Sequence, residues 1–132
     1  MLKNILAVVL ALVLGGSVNM GLIMVSGSII PPPEGIDPTN MESLKASMHL
    51  YEAKHFIFPF LAHALGTLVG AFIAAKVASS RKMTFALVIG GFFMLGGITN
   101  AFLLPAPIWF IALDIVLAYL PMAWLGGKLG TK

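Results

Sequence analysis

The chain of 132 residues contains no cysteine and little charge, with 8 Lys and Arg and 5 Asp and Glu. Without cysteine there can be no disulfide, no thiolate metal site and no cysteine nucleophile. Charged residues make up 10% of the chain and hydrophobic ones 59%, at a mean hydropathy of +1.00. No water-soluble domain could hide that much apolar surface. Polar stretches are scarce too. The only sizeable one is 31–55, too short to bury a core of its own, so a separate catalytic domain is excluded. Basic residues are too few and too scattered for a nucleic-acid partner. Gly15-Gly16-Ser17 and Gly126-Gly127-Lys128 lack the spacing of a phosphate-binding loop, and no G-x-S-x-G elbow occurs. Neither an enzyme nor a resident cofactor is expected.

What the chain has is four long apolar runs, at 5–30, 56–78, 83–104 and 108–125. Each is long enough for a helix rising about 1.5 Å per residue to cross a hydrocarbon core about 30 Å thick. Lipid offers the backbone no hydrogen bonds, so such runs read as transmembrane helices. The expected fold is an all-α membrane protein, one integral domain over 1–132. Its four transmembrane helices form a compact bundle of left-handed type, and a short amphipathic helix lies in the outer loop 31–55. Lys3 before an apolar opening resembles a secretory signal. The apolar run outlasts a signal core, however, and no A-x-A site follows, so an uncleaved helix is expected.

Charge placement sets the orientation. Lys3, Lys76, Arg81, Lys82, Lys128 and Lys132 fall on one side, while Glu34, Asp37, Glu42 and Glu52 balance Lys45 and Lys54 on the other. Lys and Arg in short loops mark the cytoplasmic side, which places both termini there. Trp109, Phe110 and Trp124 stand where an interfacial aromatic belt would.

Small residues recur every four positions: Ala7, Ala11 and Gly15, leading to Asn19, and Ala62, Gly66, Gly70 and Ala74. Such ridges let helix backbones approach closely, here expected within the bundle rather than at a dimer face. Gly15-Gly16-Ser17-Val18-Asn19 and Gly96-Gly97-Ile98-Thr99-Asn100 also hint at two repeated hairpins, a pattern chance produces as easily.

The polar residues inside the runs are the functional lead. Asp114 is the only acid within a run, and His63 the only histidine well inside one. Helical rise places both about 10 Å below the outer boundary, with Asn100 near that level and Asn19 somewhat deeper. A carboxylate facing lipid costs several kcal/mol, so Asp114 is expected to face the interior and pair with His63. Two readings stand: a ligand or proton site made by His63, Asp114, Asn100 and Asn19, or a buried pair that fixes helix register. Pro121 removes a backbone hydrogen bond and is expected to kink the fourth helix.

In the loop, Pro31-Pro32-Pro33 stops the first helix, and Thr39-x-x-Glu42 reads as a capping box. Met41, Leu44, Met48 and Tyr51 then form an apolar stripe, expected to lie on the interface or cap the bundle. His49, Glu52 and His55 alternate down a helix too widely to converge on a metal, so a solvated polar face is expected.

Three segments, 18–22 (VNMGL), 41–50 (MESLKASMHL) and 54–66 (KHFIFPFLAHALG), resemble a group of small bacterial inner-membrane proteins with four predicted helices. That group carries no assigned activity. The resemblance implies a multi-pass protein of the bacterial inner membrane and transfers no site residue. The size is also similar to that of small multidrug-resistance exporters. Those carry an essential Glu in the first helix where this chain has Asn19 and no acid, which removes the reason to expect the same proton-coupled export. The leading expectation is therefore binding or translocation of a small solute or proton through the polar layer. The alternative is an accessory or scaffolding subunit. Besides the lipid bilayer, the expected associations are a homo-oligomer or a membrane partner subunit.

Overall fold

The computed structural model describes all 132 residues, and its only regular secondary structure is helix. Helix α1 spans Leu2–Ile29, and α2 spans Met41–Ser47, followed by the 3-10 turn Met48–Leu50. A second 3-10 turn, Ala53–Phe56, runs into α3 at Ile57–Val77. Then come α4 at Lys82–Leu103, α5 at Ile108–Leu117 and α6 at Leu120–Thr131. Counting α5 with α6, and α3 with its 3-10 turn, four units of 22 to 28 residues are long and apolar enough to cross a membrane. This is the architecture of a small polytopic membrane protein, and the exposed Leu, Ile, Val and Phe side chains along the four units suit contact with lipid.

The N-terminus, the 78–81 turn and the C-terminal residues share one end of the bundle. Asn4 Oδ1 there accepts hydrogen bonds from the Ser79 amide (3.0 Å) and hydroxyl (3.1 Å). Residues 31–56 and 104–107 share the opposite, loop end. Helix α3 is the central post. It packs against α1, α4 and α6, and α4 packs on α6, whereas α1 and α4 scarcely touch.

Glycine allows these contacts. A Cβ on Gly15 would lie 2.7 Å from the Gly66 carbonyl oxygen, and one on Gly70 3.0 Å from that of Ala11. The small-residue ridges of α1 and α3 thus face each other within the bundle, with Ala7, Ala11, Ala62 and Ala74 buried. The fourth span continues beyond 125, because Gly126 and Gly130 form a further ridge against α3. A Cβ on Gly130 would stand 2.6 Å from the Phe72 carbonyl oxygen, and one on Gly126 would meet that of Leu68. Gly96 and Gly97 do not repeat the packing of Gly15 and Gly16. In α1 the first glycine of the pair is buried; in α4 it is the second.

Two local expectations shift. The cap of α2 is Asn40, not Thr39: Asn40 Oδ1 accepts from the Ser43 amide at 3.1 Å. Thr39 is already engaged, donating its amide (2.9 Å) and hydroxyl (2.6 Å) to Asp37 Oδ1. These two donors hold the Asp37 carboxyl below the usual carboxylate range. The apolar stripe, expected on one helix, runs over α2, the following 3-10 turn and Tyr51. Met48 joins Phe56 and Phe110 in a buried cluster, with Tyr51 and Leu104 against it, while Met41 stays exposed. The loop therefore caps the bundle over α3 and α5. His55 ties it down, accepting from the Glu52 amide at Nδ1 (2.8 Å) and donating from Nε2 to the Pro31 carbonyl (3.1 Å).

Candidate functional site

Pro121 does more than kink the fourth span. Ala118 caps α5 with helical dihedrals, Tyr119 departs from them at φ −113° and ψ −80°, and α6 restarts with Pro121 in its first turn. Broken backbone at membrane depth is tolerated where protein buries it. Here Ala118 and Tyr119 are both fully buried, packed with Ala64 of α3.

Asp114, on the last turn of α5, lies 4% exposed. Both its oxygens stand 2.9 Å from His63 Nδ1, and Oδ2 also accepts the Tyr119 hydroxyl at 3.0 Å. When Asp114 is ionised its carboxylate only accepts, so His63 Nδ1 then carries the proton and donates to it. The other ring nitrogen, Nε2, is left as a lone-pair acceptor and has no hydrogen-bond partner in the chain. The Tyr119 ring stacks on the His63 ring with centroids 5.8 Å apart. Gly97 makes room for it, since a Cβ there would run into the Tyr119 ring and hydroxyl.

His63 lines a partly open cavity of about 170 Å³ between α1, α3, α4 and the α5–α6 break. Asn19 of α1, Asn100 and Phe93 of α4, Thr67 of α3 and Tyr119 share its wall. Asn19 is half-buried and Asn100 exposed at the rim, and neither side-chain amide is bonded within the chain. Thr67 is 1% exposed, and its Oγ1 has no partner. Of the four residues singled out in the sequence, His63, Asn19 and Asn100 thus border one space. Asp114 stands behind His63 and fixes its tautomer.

Tyr119 is the residue sequence reasoning missed. Positions i and i+5 of a continuous helix point about 140° apart, so Asp114 and Tyr119 would not share a face. The break brings them together, and Pro121 was its only signal. The remaining groups have other tasks: His55 bonds loop backbone, and His49 is exposed.

Comparison with known proteins finds no matching family model, no matching curated protein and no matching solved structure.

Proposed function

We propose that this polytopic protein binds or translocates a small polar solute or proton at the His63 cavity, and that it is not an enzyme. One observation carries the reading. An intramembrane histidine has one nitrogen fixed by a buried carboxylate and the other unpartnered beside a cavity with two free amide side chains. A pair that served only to lock helix register would need no such space, and intramembrane ionisable groups are costly enough that function is the default reading. The Lys and Arg distribution supports a setting with both termini cytoplasmic, and the resemblance of the 18–22, 41–50 and 54–66 segments supports the bacterial inner membrane.

A second reading, an accessory subunit, rests on α1. Beyond Gly15 this helix buries no residue for its last 14 positions, about 21 Å that a partner could cover.

Asp114→Asn and His63→Gln separate the two. Each keeps shape and some hydrogen bonding while removing titration. At a ligand or proton site, each abolishes proton uptake or solute binding, measured in proteoliposomes, with thermal stability near wild type. In a purely structural pair both lower stability, and the double variant loses less than the sum of the singles.

A further inference from the structure

Charge balance at the cavity points to the class of solute, an inference that rests on the binding role proposed above. Asp114 is the only acid in the spans. The nearest cation on α3, Lys76, lies about 20 Å away along the axis from His63. From α1 and α4 the site meets only Asn19 and Asn100, from α5 only Asp114, and from the α5–α6 break only Tyr119. The loop histidine His55 is held by backbone groups at the loop end. With His63 neutral and Asp114 ionised, the site carries one negative charge that no other group in the spans compensates.

One unit of positive charge neutralises it, and only His63 Nε2 is free to receive it. A proton on Nε2 does so, giving an imidazolium against the carboxylate. An ammonium group donating an N–H to Nε2 does the same, but cannot do so while a proton occupies that lone pair. A carboxylate ligand would instead add a second negative charge beside Asp114, and a neutral ligand would leave the first in place. The walls suit a small cation, with the Phe93 ring for cation–π contact and the Asn19 and Asn100 amide oxygens as acceptors. A cavity of about 170 Å³ limits it to a few heavy atoms.

We infer that the cavity takes a small protonated amine, held by N–H donation to His63 Nε2, in one-for-one competition with a proton on that nitrogen. Binding then displaces one proton whenever His63 is charged. Lowering the pH therefore weakens binding, by up to about tenfold per pH unit where the exchange with a proton is complete.

The test uses the full chain in lipid nanodiscs with ¹⁵N-labelled histidine, titrated separately with methylammonium, acetamide and acetate at stepped pH values. Methylammonium alone is expected to shift the His63 signals saturably, with the acid-side weakening just described. Asn100→Leu, at the exposed rim, is expected to weaken it several-fold while the His63 signals of the unliganded protein stay in place. Saturable binding of acetamide or acetate without methylammonium overturns the amine assignment and leaves the solute-binding role standing. If no probe shifts His63, and its protonation is unchanged in Asp114→Asn, the amine assignment and the solute-binding role both fail.

Discussion

The two ends of the bundle are built differently. Toward the termini, α1, α3 and α6 meet backbone to backbone through Ala11, Gly15, Gly66, Gly70, Gly126 and Gly130, and nothing fits between them. Toward the loops, large aromatics do the packing: the Phe56 and Phe110 rings lie tilted with centroids 4.6 Å apart, beside Met48 and Tyr51. That cap covers α3 and α5 but not the gap between α1 and α4. The cavity lies where the glycine contacts stop, since a Cβ on Gly66 would touch Asn19 Cβ at 3.0 Å, and Asn19 already lines the space. Close packing in lipid comes from small residues, so the place where they give way to Asn19, His63 and Asn100 is the place where a helix bundle can hold something.

The largest expected effect breaks the tight end. Gly126→Val drives side-chain carbon into the Leu68 carbonyl and the Phe72 amide, fixed backbone that has nowhere to move. A loss of about 3 kcal/mol in detergent unfolding is expected. Gly91→Ala, on an open face of α4, should change stability by less than about 1 kcal/mol. Equal effects at the two positions would mean that α6 does not pack on α3 as described.

At the boundary, Gly97→Ala displaces the Tyr119 ring and is expected to cost about 2 kcal/mol and release Asp114 from its hydroxyl donor. Tyr119→Phe keeps the ring and removes only that hydrogen bond, for about 1 kcal/mol. Near-neutral Gly97→Ala would show that the ring sits elsewhere.

How much of this the sequence carried follows from the physics of each part. The four spans were plain, because lipid leaves a helix no other way to satisfy its backbone. The meeting of His63 and Asp114 was legible too, since two costly groups at one depth must find each other. The Gly126–Gly130 ridge was hidden by placing the end of the span at the last run of large apolar residues, although glycine is what lets the helix continue against α3. Tyr119 was hidden because helical periodicity holds only as far as the helix does. The cap of α2 is Asn40 and not Thr39 because the helix starts at Met41, which leaves Asn40 Oδ1 in reach of the Ser43 amide.

The smallest effects belong to the loop. Asn40→Ala should cost about 1 kcal/mol of local helix order, read from amide exchange in α2. The Asp37 turn should be complete at neutral pH and loosen as pH falls through the lowered Asp37 titration, because its carboxylate is the form that accepts from Thr39. Thr39→Ala should move that loosening to higher pH, as seen in the Asp37 side-chain carbon shift. An unmoved midpoint would mean that Thr39 does not hold the carboxylate.

The most direct measurement is the tautomer of His63, read from its two ring ¹⁵N shifts in lipid at a pH where the ring is neutral. A carboxylate behind Nδ1 and an open cavity beside the ring predict an Nδ1–H, Nε2-lone-pair imidazole that loses this strict preference in Asp114→Asn. An Nε2–H ring, or one indifferent to Asp114→Asn, would contradict the site at its root.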